Sequence, residues 1–85
     1  MKLWLLRPAE NIAPKNHPWN PWYDKAFGFV VRAEDEKQAR KMVQGSSGME
    51  VTSTVNPWTN SKYSTCVELT TDGQPEVIIT DFAAA

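Results

Sequence analysis

Histidine and cysteine are almost missing from this sequence: His17 and Cys66 stand alone among 85 residues. A single cysteine excludes an intramolecular disulfide, and with it the cystine-stapled frameworks of small secreted domains, so a reducing compartment is the simpler expectation. A single histidine leaves general acid and base catalysis near neutral pH with little to work with. A metal centre would need two further carboxylates converging on His17 and Cys66, and none of the paired spacings typical of zinc ligands is present. Cys66 reads as a small apolar residue of a strand rather than as a nucleophile served by His17. No catalytic residue, metal ligand or cofactor is nominated, and the chain reads as non-enzymatic.

Charge of either sign is not in excess. Nine Lys and Arg against ten Asp and Glu leave a formal net charge of −1, without the long-range positive field that non-specific nucleic-acid binding uses. Long apolar runs are missing too. The first, Leu3-Trp4-Leu5-Leu6, stops at Arg7-Pro8, too short for a signal-peptide core or a membrane span, so it reads as a strand of a cytoplasmic protein. Gly45-Ser46-Ser47-Gly48 is followed by no Gly-Lys-Ser/Thr, so neither the amide cradle nor the lysine of a phosphate loop is available.

What remains is ordinary globular composition, 41% apolar and 22% charged, in a chain long enough for one modest core. Residues 1–85 read as a single domain. Phe27 to Arg32 alternates as a strand with Phe27, Phe29 and Val31 toward a helix. The helix follows at once over Asp35 to Val43, with Asp35 as N-cap, Gln38 completing a capping box, and Ala39, Met42 and Val43 at helical spacing. Lys37, Arg40 and Lys41 read as its solvated face, and Gly45 as a left-handed C-cap. Met49 to Val55 and Lys62 to Thr70 alternate as further strands, the latter with Tyr63, Thr65, Val67 and Leu69 on one face and Ser64, Cys66 and Glu68 on the other. Gly73 supplies a positive φ to a hairpin loop, and the run Val77-Ile78-Ile79 reads as a central strand over Glu76 to Phe82. The order β-β-α-β-β-β predicts an α+β fold: a mostly antiparallel sheet of four to five strands with one helix on one face. Such a helix covers about half of the sheet's apolar surface, so the other face needs a cover or stays wet.

The anomaly is aromatic. The Pro-rich loop at about 9–25 and a later turn repeat one short unit: His17-Pro18-Trp19, Asn20-Pro21-Trp22-Tyr23 and Asn56-Pro57-Trp58. Each sets a rigid indole beside a turn-forming pair. These indoles either fold back as core, each NH finding a carbonyl, or stay exposed as anchors for a partner, with Trp19, Trp22, Tyr23 and Trp58 as the contact residues. A third use is the stacking of a nucleotide or another planar ligand, with Lys15, Lys25 and Lys62 in range by sequence. The strand over Met49 to Val55 could also pair with its copy as an exposed edge and give a homodimer.

Taken together, the Met-Lys-Leu start, the passage from Asp24 to Arg32, Ala33-Glu34-Asp35-Glu36-Lys37-Gln38-Ala39-Arg40 and the terminus Val77-Ile78-Ile79-Thr80-Asp81-Phe82-Ala83 resemble a family of very small proteins of unknown role encoded by bacteriophages and prophages. The long Trp-rich loop departs from that pattern. The resemblance implies life in the cytoplasm of an infected or lysogenic bacterium. It also implies a role in binding and blocking a host protein or defence complex, as anti-CRISPR proteins do. The alternative is a protein that sequesters a small ligand or nucleotide between its Trp-rich loops.

Overall fold

The computed structural model describes residues 1–10, 18–19, 26–47 and 56–80. Strand β1 (Lys2–Pro8), strand β2 (Phe29–Ala33), helix α1 (Glu36–Gln44), a single 3-10 turn (Pro57–Thr59) and strand β3 (Ser64–Leu69) follow in that order. The strands form one antiparallel sheet in the order β2-β1-β3. Leu6 pairs with Phe29 on one side and Cys66 on the other, and Leu5 with Val30 and Val67. Because side chains alternate across a strand, this register divides the sheet into two faces.

The inner face carries Trp4 and Leu6 of β1, Phe29, Val31 and Ala33 of β2, and Ser64 and Cys66 of β3. Against it pack Ala39 and Val43 of α1 and the indoles of Trp19 and Trp58, making the core with Leu6 and Ala33. On β3 it is thus the set with Ser64 and Cys66 that turns inward, while Val67 stays exposed.

Helix α1 starts as its sequence dictates. Asp35 is extended at φ −151° and accepts from the amide of Gln38 at 2.8 Å, relieving one of the donors that a helix start leaves unpaired. The Gln38 side chain reaches back one residue further than a capping box requires and accepts from the amide of Glu34 at 2.7 Å. The other end differs from expectation. Gly45 keeps a right-handed conformation, φ −78° and ψ −12°. The last carbonyls are met instead by the Ser46 amide on Val43 at 3.0 Å and the Ser47 hydroxyl on Gln44 at 2.9 Å.

Four further expectations are corrected. The sheet among the described residues has three strands, not four or five. Residues 76–80 are not a strand: the chain leaves β3, turns where Gly73 takes φ +138° as expected, and returns across the outer face. There Val77 and Ile78 border Leu5, Val67 and Leu69, and Ile79 borders Phe27 and Val30. The run Val77-Ile78-Ile79 therefore meets the sheet through side chains rather than backbone pairing and stays exposed. Met42 is exposed while Arg40 is buried, so the inner stripe of α1 is Ala39, Arg40 and Val43. Phe27 precedes β2 and lies half-exposed on the outer side, away from the helix. The strand expected over Met49 to Val55 falls outside the described residues, as do Asp81 and Phe82.

Candidate functional site

Trp19 and Trp58, named as partner contacts on the reading that the indoles stay exposed, are both 0% exposed. Their rings meet edge to face with centroids 5.2 Å apart, and Phe29 adds a second edge-to-face contact to Trp58 at 5.1 Å. The physical reason is area. Burying an indole removes on the order of 200 Å² from water, about 5 kcal/mol at the usual coefficient and an upper figure because unfolded chains are partly collapsed. A small sheet with one short helix has few other groups of that size. Fully enclosed rings have no face left for a partner or a stacked base, so the contact role and the stacking role are both withdrawn for Trp19 and Trp58. Trp22 and Tyr23, together with His17, Lys15 and Lys25, lie outside the described residues.

The Trp19 indole NH donates to the carbonyl of Ala26 at 2.7 Å. This bond joins Trp19, in the core, to Ala26, packed against it, and these two residues flank positions 20–25, which include Trp22 and Tyr23 in the sequence.

A second anchor was not legible as one. Arg40, expected with Lys37 and Lys41 on a wet face, is 8% exposed. Its Nη1 donates to the Trp58 carbonyl at 3.1 Å and to the Ser64 hydroxyl at 2.7 Å, its Nη2 to the Ser64 carbonyl at 3.2 Å, and its Nε to Glu36 at 2.8 Å. A planar fork with fixed donors suits this task where a lysine ammonium does not. The Ser64 hydroxyl in turn donates to the Pro57 carbonyl at 2.7 Å, and the Gln44 side chain accepts from the Trp58 amide at 3.2 Å. Helix, 3-10 turn and β3 are locked around the Trp58 backbone, and no buried side-chain nitrogen or oxygen among the described residues lacks a partner. The available signal was the spacing of Glu36 and Arg40, one helical turn apart. Trp4, half-buried, joins the same face with its indole NH on the Ala33 carbonyl at 3.2 Å.

Cys66 sits on the inner face, half-buried. Burial pushes its thiol above the ordinary range, the Arg40 guanidinium pulls it back, and Glu36 raises it again. A thiol held protonated is a poor nucleophile. Among the described residues no cluster of His, Cys, Asp and Glu could hold a metal ion, and no helix is long and apolar enough to cross a membrane. Lys62 lies 5.6 Å from the Tyr63 ring centre, the one basic group named for stacking that the described residues include.

The outer face is the contrast. Val30 and Val67 are more than half exposed on either side of Leu5. A groove of about 330 Å³ runs between Leu5, Phe27, Val30 and Ile79 with Arg7 beside it, and a second of about 310 Å³ between Val67, Leu69, Glu76 and Val77. Arg7 lies so close along Gly28 that a Cβ there would stand 3.0 Å from its Cδ.

No protein family, curated protein or solved structure matches the chain.

Proposed function

We propose that this protein is a non-enzymatic binding module of phage type that inhibits a host bacterial protein or defence complex in the cytoplasm. Its contact is made by Trp22 and Tyr23 on the segment 20–25. The observation that supports this reading is the bond from the Trp19 indole to the Ala26 carbonyl. A segment whose two ends are fixed to a core loses less conformational freedom when it meets a partner, and tryptophan and tyrosine are the side chains that most often dominate such contacts. The inhibitory role and the host setting rest on the resemblance to small phage and prophage proteins, an argument from analogy.

The test uses the purified chain and three variants as bait in a bacterial lysate, each with a thermal melt. Trp22→Ala and Tyr23→Ala should melt like wild type and lose a captured host complex. Trp19→Ala should lose both the complex and the cooperative melt. Capture that survives both loop substitutions, or a collapse of the melt with Trp22→Ala, would overturn the reading.

A further inference from the structure

Asp72-Gly73 stands at the corner where the chain leaves β3 and turns back over the outer face, and both residues are exposed. In an aspartate followed by glycine the side-chain carboxyl is open to attack by the next backbone nitrogen, because glycine has no Cβ to block the approach and its backbone adopts many conformations. The fold decides whether the two groups are held apart or left free. Here they are free: among the described residues neither the Asp72 carboxylate nor the Gly73 amide has an ion pair or a hydrogen bond. The bond at this corner runs instead from the Thr70 hydroxyl to the Asp72 carbonyl at 3.3 Å, long for a hydroxyl donor. A Cβ built at Gly73, whose φ is +138°, would meet nothing within 4 Å, so no neighbour restrains the turn. The other described Asp and Asn residues are held. The Asp35 carboxylate accepts from the Gln38 amide at 2.8 Å. The Asn60 side chain accepts from the Lys62 amide at 2.9 Å, while its carbonyl accepts from the amides of Tyr63 at 3.0 Å and Ser64 at 3.1 Å. Asn56 precedes Pro57, whose nitrogen carries no hydrogen to give up.

We propose that Asp72-Gly73 is a site of spontaneous backbone modification, the isomerisation of aspartate to isoaspartate through a cyclic imide. The Gly73 nitrogen bonds to the side-chain carboxyl carbon of Asp72 and loses its proton, and one carboxyl oxygen leaves as water. Water then adds back to either carbonyl of the imide ring. Cleavage of the new bond restores Asp72, whereas cleavage of the original bond between the Asp72 carbonyl carbon and the Gly73 nitrogen leaves the chain running through the side chain. The water lost is regained, and nothing is oxidised or reduced. The isoaspartyl link lengthens the main chain by one methylene and leaves the former backbone carbonyl as a carboxylate. Its place in the fold gives the change a structural effect. Residues 76–80 reach the outer face through this corner and meet it by side chains alone, Val77 and Ile78 beside Leu5 and Val67, Ile79 beside Phe27 and Val30. A longer corner shifts that tail and uncovers Leu5 and Val67. The inner-face core, which shares no residue with the loop, is untouched. This site is independent of the partner contact at the segment 20–25.

The test incubates the purified full chain, its Asp72→Glu variant and a free peptide of residues 69–76 side by side for weeks at neutral pH. Isoaspartate is read by peptide mass spectrometry with electron-transfer fragmentation and by enzymatic methyl labelling of isoaspartyl carboxylates. Wild type should gain isoaspartate at position 72 at a rate close to that of the peptide, pass through a species one water lighter, and gain none at Asp35 or Asn60. Asp72→Glu, whose longer side chain closes a ring far more slowly, should lose the modification at this position. The isomerised chain, separated from its parent, should bind more of an apolar fluorescent dye and keep the same thermal melt. Position 72 unmodified while the peptide isomerises, or isomerised no faster than Asp35, would overturn the site. Equal dye binding by the isomerised and parent chains, or a lowered melt, would overturn the movement of the tail.

Discussion

The two faces of one sheet differ in how their apolar surface is finished. On the inner face, two large indoles and a buried guanidinium fill the space that a nine-residue helix leaves. On the outer face, a chain of β-branched residues crosses the strands but leaves Val30 at 57% and Val67 at 54% exposure. The inner face therefore holds the fold, and substitutions should cost stability in proportion to what they touch there. The outer face is where surface chemistry can change at little cost to folding.

The largest effect is expected from Trp58→Ala, which empties the centre of the inner face and removes both edge-to-face contacts. A loss of about 3–5 kcal/mol is expected, a large share of a small domain's stability, and visible as a broad, early thermal transition. Arg40→Leu keeps volume but strips three buried acceptors on Trp58 and Ser64 of their donor, costing about 2–3 kcal/mol. Glu36, half-exposed, is rehydrated and adds little. Arg40→Lys should recover only part of that loss, because one ammonium cannot reach all the acceptors. Equal stability for wild type and Arg40→Leu in urea would show that the network is dispensable. At the edge of this face, Asp35→Ala removes one cap and should cost about 1 kcal/mol by the same melts.

Cys66 gives the same comparison a pH dependence. Its thiol is pushed up in the folded state, chiefly by burial, so the unfolded chain releases its proton first. Below the ordinary thiol range, about pH 8.5, both states hold the proton and the group is neutral to stability. Above it the unfolded state binds fewer protons than the native state, and stability falls as pH rises. Cys66→Ala should flatten that alkaline decline, and alkylation of Cys66 should be slower in native protein than in urea. Native alkylation as fast as denatured alkylation would place the thiol in solvent.

How far the sequence could be read follows the range of the interaction. Asp35 and Gln38 announce the helix start because capping is decided within four residues; the strand at Phe29–Ala33 shows in the alternation from Phe27 to Arg32, and that at Lys2–Pro8 in a short apolar run stopped by Arg7-Pro8. Arg40 could not be placed, since its burial depends on carbonyls at Trp58 and Ser64, 18 and 24 residues away. A charge surrounded by charges looks solvated until those acceptors are known. Val77-Ile78-Ile79 was misleading for a related reason: three consecutive apolar residues carry no period, and whether such a run pairs or lies across a face is set by the sheet it meets. For the indoles, local sequence allowed both core and contact. Packing against Leu6 and Val43 decided for Trp19 and Trp58.

Urea unfolding of Trp58→Ala beside Val67→Thr, at low protein concentration where association does not contribute, weighs the two faces directly. A loss of several kcal/mol for Trp58→Ala against less than about 0.5 kcal/mol for Val67→Thr is the expected result. Comparable losses from the two, or a Trp58→Ala variant as stable as wild type, would contradict the division of the sheet into a face that holds the fold and a face left open.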